Sequence, residues 1–221
     1  VDTKYLEKIN KKTTTSYIIA NLSKGSRTIL TNREKDIKLS LKPDIKDIDY
    51  IFLDGYEYDF AKKVIEDNPK AIKVIDAGSL KEKTIELAKL SDYIVCSKDF
   101  AEEFTSKKID FTNLKTLIDI YDEIENKLKS KVIITLEEKG SFVKDDNYMI
   151  VPSIKVKTLD STAAGDIFHA AFLYFLTQHM SLKDSLRLAN IAGALSVTKI
   201  GGRYSIPSLE EVKRVSDDNP L

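Results

Sequence analysis

Residues 160–166 have the sequence Asp-Ser-Thr-Ala-Ala-Gly-Asp and stand directly before a helical pattern. Apolar residues then recur at helical spacing at Ile167, Phe168, Ala171, Phe172 and Phe175. The first turn of a helix has backbone N–H groups without intrahelical acceptors, and the helix dipole adds positive charge there. Because Ala163, Ala164 and Gly165 have little or no side chain to block a phosphate, this stretch predicts an anion-binding site.

Asp166 places a carboxylate beside the predicted anion site. This arrangement is electrostatically unfavourable unless the carboxylate has a role there, and accepting a proton from an attacking hydroxyl group is such a role. The alternative is an ordinary helix N-terminus, where an Asp in the first turn is favourable by itself. The residues alone leave both interpretations open.

This stretch resembles the second signature of the ribokinase-like, or pfkB, family of carbohydrate kinases, usually Asp-Thr-Thr-Gly-Ala-Gly-Asp-Thr-Phe. Ser161, Ala163 and Ile167 depart from that pattern, and the Ala-Ala-Gly-Asp form is similar to a variant among ribokinases. The resemblance continues through residues 196–208, and residues 14–19 and 27–29 resemble the lid strands of the family. It implies an α/β fold of three layers with a parallel sheet and a small β lid.

The resemblance also implies roles for the signature residues. Asp166 would be the catalytic base and a contact to the sugar, and the amides of Ala163, Ala164, Gly165 and Asp166 would bind the phosphoryl group that ATP transfers. Asp160 would contribute to a monovalent cation site, as for K⁺ in ribokinases, and Mg²⁺ would bridge the ATP oxygens.

Three further segments are similar to the nucleotide site of the family. Thr135 and Gly140 match a Thr-x-Gly-x-x-Gly loop beside the ATP phosphates, although Glu137 replaces its first Gly. Residues on the helix after the signature would line the adenine pocket, with helix packing by small residues as the alternative: Asn190, Gly193 and Ala194. Residues 97–100 replace an Asn-x-x-Glu motif that organises Mg²⁺, which indicates either subfamily drift or impaired metal handling.

Some family segments have no counterpart in the sequence after Val1. These are a strand with a sugar-binding Asp and a Gly-Gly motif with an Asn. We therefore expect the first βαβ region of the fold to be missing here, and we expect these 221 residues alone to phosphorylate sugars poorly. Arg33, near the end of the lid, is a candidate contact for an anionic sugar, with a surface role as the alternative, and the lid implies a possible homodimer.

Composition excludes several other classes of protein. The 35 Lys and Arg residues balance 35 Asp and Glu residues, so no basic field favours a nucleic-acid partner. A single cysteine, Cys96, rules out an intrachain disulfide framework and is expected to be buried. Two histidines, with no cysteine at ligand spacing, make a zinc site improbable, and His169 is expected to be a packing or solvent residue. No apolar run approaches the roughly 20 residues that span a bilayer, and the cytoplasm is the default location.

The order of short apolar runs and helical patterns predicts the fold class. We expect one domain over residues 1–221 with lid strands at about 14–33, joined through residues 23–26. Expected strands and helices alternate after residue 50, which is typical of a parallel sheet with helical crossovers. The helices are expected at Phe60–Glu66, Leu80–Leu90, Phe100–Lys107 and Leu114–Leu128, with a hairpin of Ser141–Lys144 and Tyr148–Val151.

The sequence thus predicts an ATP-dependent kinase that phosphorylates a sugar hydroxyl. Two alternatives stay open. One is a nucleoside or sugar-phosphate kinase of the same family, and the other is a non-catalytic nucleotide-binding fragment.

Overall fold

The computed structural model describes residues 3–21, 26–33 and 44–219. The chain divides into two units, Val1–Asp44 and Ile45–Leu221. The predicted lid strands lie in the first unit and the predicted sheet lies in the second. That the whole chain forms one domain stays a prediction.

The first unit contains the predicted antiparallel hairpin. Strands β1 (Thr15–Asn21) and β2 (Ser26–Asn32) pair from Thr15 opposite Asn32 to Asn21 opposite Ser26. The predicted turn at residues 23–26 lies mostly outside the described residues. The hairpin leaves large apolar side chains exposed at Tyr17, Ile18, Ile19, Ile29 and Leu30. A two-stranded ribbon has no core in which to bury them.

The second unit alternates strands and helices as predicted. Its strands are β3 (Tyr50–Leu53), β4 (Ile72–Ala77), β5 (Tyr93–Ser97), β6 (Lys131–Thr135), β7 (Ser141–Lys144) and β8 (Tyr148–Val151). Its helices are α1 (Tyr58–Asp67), α2 (Glu82–Ala88), α3 (Lys98–Thr105), α4 (Leu114–Leu128), α5 (Ala164–Thr177), α6 (Leu182–Ser196) and α7 (Leu209–Asp218).

The six strands form one sheet in the order in which they occur along the chain. Strands β3 to β6 pair in parallel, and β7 and β8 add an antiparallel hairpin at the edge. This is the predicted parallel sheet with the predicted hairpin. Because β3 to β6 run in one direction, their carboxyl ends meet at a single edge, where ligands bind in sheets of this kind.

Alternating side chains along the strands create three layers. Ile75, Ile94 and Ile134 face a core with helices α1 to α4, whereas their neighbours Val74 and Val95 face α5 and α6 on the other side. Successive residues of a strand point to opposite faces, so strands buried on both faces are apolar throughout. The expected three-layer arrangement is confirmed.

Capping residues explain most of the helix boundaries. Ser208 and Glu211 form a capping box at the start of α7, the local pattern of a Ser followed three residues later by a Glu. Helix α3 begins at Lys98, before the predicted Phe100, because the Ser97 hydroxyl accepts the Phe100 N–H at 3.0 Å. Helix α2 is shorter at both ends than the predicted Leu80–Leu90. None of the helices in the described ranges is long and apolar enough to cross a membrane.

Glu102 is a buried carboxylate on α3. Its oxygens accept hydrogen bonds from Lys108 Nζ at 2.5 Å and from the Ile109 N–H at 3.0 Å. Burial raises the pKa of the Glu102 carboxyl, but these two donors outweigh burial, so the pKa lies below its ordinary value. The carboxylate thereby joins the end of α3 to the loop before α4.

Replacing Glu102 with Gln should lower the free energy of unfolding at pH 7 by about 1–2 kcal/mol, because a charge-assisted hydrogen bond is lost. A depressed carboxyl pKa contributes stability above the unfolded pKa of about 4.3, and that stability is lost as the pH falls through the folded pKa. The difference between wild type and variant should therefore shrink below about pH 4 in urea unfolding. The exposed neighbour Glu103→Gln is the control and should change stability little at either pH.

Candidate active site

The signature residues form a tight turn that leads into helix α5. Ala163 precedes the helix with φ 62° and ψ 10°, a left-handed conformation that glycine adopts at lower cost. The Ala164 N–H donates to the Ser161 carbonyl at 3.3 Å, and the Ile167 N–H donates to the Ala163 carbonyl at 2.9 Å. The cap residue Ala163 supplies no side-chain hydrogen bond to the N–H groups of this first turn.

Asp160 fixes the position of this turn. One carboxylate oxygen accepts the Thr162 N–H at 2.9 Å, and the other accepts the Gly201 N–H at 2.9 Å. The next residue, Gly202, packs on the turn so closely that a Cβ there would lie 3.0 Å from the Ala163 Cβ. The loop after α6 therefore supports the predicted anion site directly.

A polar cavity of about 210 Å³ opens at the carboxyl ends of β3 and β4. Its walls include Asp54, which directly follows β3, and Asp76, the second-last residue of β4. Asp166, from the first turn of α5, also lines the cavity. The remaining lining residues are Tyr56, Gly78, Ser79, Lys81 and Thr84. The predicted catalytic carboxylate thus faces a cavity with two further carboxylates and one lysine.

Backbone donors hold the carboxylates of this cavity in place. The Tyr56 N–H donates to Asp54 Oδ1 at 3.0 Å, and the Gly78 N–H donates to Asp76 Oδ1 at 2.9 Å. Lys81 Nζ donates to the Tyr56 hydroxyl at 3.0 Å. Each carboxylate keeps lone pairs with which it could accept a hydrogen bond from a hydroxyl group of a ligand.

A larger apolar groove of about 660 Å³ also borders Asp166. Its lining comes from the outer face of α5 and from the loop that enters α7, with Ala170, Tyr174, Ile206 and Pro207 among the lining residues.

The predicted phosphate loop follows β6, the strand beside β5. The Thr135 hydroxyl donates to the Cys96 carbonyl at 3.3 Å, and the Leu136 N–H donates to the Gly140 carbonyl at 2.7 Å. Gly140 has φ 100°, and a Cβ there would lie 2.1 Å from the Val151 carbonyl oxygen. Only glycine fits this position. Glu137 has φ 55°, a conformation that explains why the family pattern places glycine there.

Residues that depart from the metal-organising motif have structural roles here. Ser97 caps α3, and its hydroxyl also donates to the Gly78 carbonyl at 3.2 Å. Phe100 is 1% exposed and stacks on Phe104 with ring centroids 5.7 Å apart. Glu102, a carboxylate two residues after Phe100, is already engaged with Lys108 and Ile109. Within the described ranges, no group of three or more His, Cys, Asp or Glu side chains could hold a metal ion.

The residues expected to line the adenine pocket lie on α6 against β8 and α5. Asn190 is buried, and its amide donates to the Ser141 hydroxyl at 3.1 Å and to the Val151 carbonyl at 2.9 Å. A Cβ at Gly193 would lie 3.5 Å from the Ala164 carbonyl oxygen, an ordinary contact distance, so α6 packs beside the signature turn at this position. Ala194 is 9% exposed. Contact of these residues with a nucleotide stays a prediction.

Arg33 lies in the first unit, directly after β2, and is exposed. Its contact with a sugar stays a prediction, as does the monovalent cation at Asp160. Cys96 is buried as expected, and burial raises the pKa of its thiol.

Sequence reasoning did not assign four residues that the structure places at the site: Asp54, Asp76, Lys81 and His169. The position of Asp54 and Asp76 after apolar runs was the available signal, because the carboxyl ends of parallel strands carry ligand sites. The burial of His169 agrees with the expected packing role. In addition, Nδ1 of His169 lies 3.0 Å from Oδ2 of Asp76.

The fold and site define a ribokinase-like α/β protein. The family model of the pfkB carbohydrate kinases matches residues 1–209, and the chain belongs to this family. It is 36% identical over 145 residues to a ribokinase of Lactococcus lactis, covering 65% of this chain and 45% of that protein. It is 32% identical over 127 residues to a ribokinase of Haemophilus influenzae, covering 57% of this chain and 41% of that protein. The chain therefore spans less than half of each of these relatives.

Solved structures share the fold at lower identity. A ribokinase from Thermotoga maritima superposes with a TM-score of 0.70 and 22% identity over 93% of this chain and 70% of that one. A fructokinase from Vibrio cholerae, solved with fructose, ADP and a potassium ion, superposes with a TM-score of 0.68 and 20% identity. That match covers 90% of this chain and 72% of the fructokinase.

The loop after β6 gives a matched pair of tests. Glu137→Gly should stabilise the fold by about 0.5–1 kcal/mol, because the left-handed conformation no longer strains a side chain. Gly140→Ala should destabilise it by about 2–4 kcal/mol, because its Cβ cannot avoid the Val151 carbonyl. Thermal and urea unfolding of both variants measure these differences. Equal effects of the two substitutions would contradict the loop geometry.

Proposed function

We propose that this protein transfers the γ-phosphate of ATP to a hydroxyl group of a sugar. The observation that carries the proposal is the position of Asp166. This residue lies in the first turn of α5 and also lines the polar cavity. A proton acceptor therefore stands between a predicted phosphate site and a cavity whose carboxylates suit hydroxyl groups. Membership of the pfkB carbohydrate kinases supports the same reaction.

In the proposed reaction, Asp166 accepts the proton of the attacking hydroxyl. The hydroxyl oxygen forms a bond to the γ-phosphorus, the bond from that phosphorus to the bridging oxygen breaks, and ADP leaves with that electron pair. The backbone N–H groups of Gly165 and Asp166, with the positive end of the α5 dipole, stabilise the charge on the transferring phosphoryl group. Catalysis of this kind depends on positioning and electrostatics more than on covalent chemistry.

Mg²⁺ would neutralise the ATP phosphates when it is bound. The donors near the site fit an ion held by nucleotide oxygens and water, because Mg²⁺ commonly keeps several waters and few protein ligands. A monovalent cation such as K⁺ would lie beside Asp160, near the backbone of Gly201 and Gly202. On the nucleotide side, Thr135 and Gly140 would border the phosphates, with Asn190, Gly193 and Ala194 toward the base.

The cavity favours a neutral sugar over a sugar phosphate as the acceptor. Asp54, Asp76 and Asp166 place three carboxylates around one lysine. A second phosphate on the acceptor would be repelled by this excess of negative charge. A nucleoside is neutral and stays a candidate, so a panel of sugars, sugar phosphates and nucleosides with ATP separates these substrate classes.

The lid hairpin would pair with the lid of a second copy. Its exposed apolar side chains at Tyr17, Ile18, Ile19, Ile29 and Leu30 support this dimer, because a two-stranded ribbon gains stability by packing against another surface. Sedimentation of the protein at several concentrations tests the proposal.

Asp166→Asn should reduce phosphoryl transfer by about 10²- to 10⁴-fold, the usual contribution of a general base. ATP should still bind at least as tightly, because the substitution removes a negative charge beside the anion site and almost no volume. Turnover by the protein that the gene encodes and calorimetric binding of ATP measure the two effects. A variant with near-full turnover would remove Asp166 from the mechanism.

Ala164→Glu should weaken ATP binding strongly, because it adds bulk and negative charge at the anion site. The Coulomb cost is on the order of 4 kcal/mol for charges 4 Å apart at an effective dielectric constant near 20. Ala163→Gly is the matched control. It relieves the left-handed strain at residue 163 and should leave ATP affinity unchanged. Unchanged ATP affinity in a folded Ala164→Glu protein would contradict the phosphate site.

A further inference from the structure

His169 is a buried polar residue without a settled partner. It lies on α5 one turn after Asp166 and is 5% exposed. Its Nδ1 is 3.0 Å from Asp76 Oδ2, yet the ring N–H does not point along this line. Neither ring nitrogen of His169 therefore has an aligned hydrogen bond within the part of the chain that the structure describes.

The imidazole lies between the two halves of the candidate active site. On one side, a Cβ at Gly165 in the anion-binding turn would lie 4.0 Å from His169 Cε1. On the other side is Asp76, which lines the polar cavity together with Asp166. The Phe168 ring meets the imidazole edge-on, with centroids 5.7 Å apart. His169 thus does not line the cavity itself but contacts Asp76, which does.

Packing alone does not explain a histidine at this position. Phe168 and Phe172 fill neighbouring positions of α5 with apolar side chains, and a buried imidazole nitrogen without a partner costs stability. A carboxylate accepts hydrogen bonds but cannot donate them, so a proton on Nδ1 turns the 3.0 Å contact into a favourable one after a small rotation of the ring. Asp76 is already held on its other oxygen by the Gly78 N–H.

We propose that His169 is a positioning residue whose Nδ1–H holds the Asp76 carboxylate at the wall of the cavity that it shares with Asp166. A hydroxyl group of the phosphoryl-accepting substrate then donates a hydrogen bond to Asp76. This hydroxyl group is adjacent to the one that reacts. The inference rests on the proposed function for the identity of the acceptor. The contact between His169 and Asp76 itself does not depend on that function.

Nuclear magnetic resonance of the imidazole nitrogens tests the contact without any substrate. The chain has two histidines, and the exposed His179 is assigned by a His179→Asn variant. In the wild type, Nδ1 of His169 should carry a proton. In Asp76→Ala the preference for the tautomer protonated on Nδ1 should be lost, because the hydrogen-bond acceptor is gone, while the His179 signals stay unchanged. An unprotonated Nδ1 of His169 in the wild-type protein overturns the proposal.

Kinetics test the effect on the acceptor. His169→Leu keeps an apolar core residue but removes the donor, and should raise the KM for the acceptor about tenfold, as expected for a lost charge-assisted hydrogen bond, with kcat and the KM for ATP nearly unchanged. His169→Asn keeps an N–H donor at the position of Nδ1 and should restore the KM to within about threefold of the wild type. A purely structural role predicts instead that both variants lose activity together with stability.

A double-variant cycle shows whether His169 acts through Asp76. Asp76→Asn alone should raise the acceptor KM, and adding His169→Leu should raise it little further. Effects that multiply, or a His169→Leu protein with wild-type kinetics, overturn the proposal. If the wild-type protein phosphorylates no member of the substrate panel, the proposed function fails, and the imidazole resonances still decide whether His169 holds Asp76.

Discussion

The carboxylate of Asp160 joins the two backbone segments on which the candidate active site depends. By accepting the N–H groups of Thr162 and Gly201, it locks the signature turn to the loop that follows α6. Gly202 then lets that loop approach the turn so closely that a Cβ there would lie only 3.0 Å from the Ala163 Cβ. An anion site made of backbone donors can be no more rigid than the contacts that hold its backbone.

Two regions of opposite electrostatic character meet at Asp166. The start of α5 offers N–H donors and a positive dipole end, which suit a phosphoryl group. The adjacent cavity offers three carboxylates, which suit hydroxyl groups but repel phosphate. Because these preferences differ, each reactant has one favourable location. Asp166 belongs to both regions, and the proposed reaction requires a hydroxyl group to lose its proton at this place before it attacks a phosphorus atom.

The sequence predicted the features that depend on neighbouring residues. The signature turn, the bounds of α4, the hairpin of β7 and β8 and the capping box of α7 all follow from local patterns. The cavity could not be predicted in the same way, because Asp54, Asp76 and Asp166 come together only through the pairing of β3 with β4 and the packing of α5. The proximity of His169 to Asp76 depends on which face of α5 meets the sheet. Backbone conformations such as φ 55° at Glu137 arise from loop closure, which composition does not encode.

The departures from the family pattern concentrate on the nucleotide side of the site. Ser97 and Phe100 replace motif residues, yet one caps α3 and the other fills the core, so the local backbone keeps its shape without the usual metal-organising side chains. Glu137 adds a negative charge to the loop near the expected phosphates. In contrast, Gly165 and Asp166 keep the amide donors and the carboxylate on which the proposed phosphoryl transfer depends. In that proposed reaction, with fewer side chains to organise a metal, charge stabilisation would come mainly from the α5 N-terminus and from the ions bound to ATP. The proposal therefore places the greatest functional weight on the turn that Asp160 anchors.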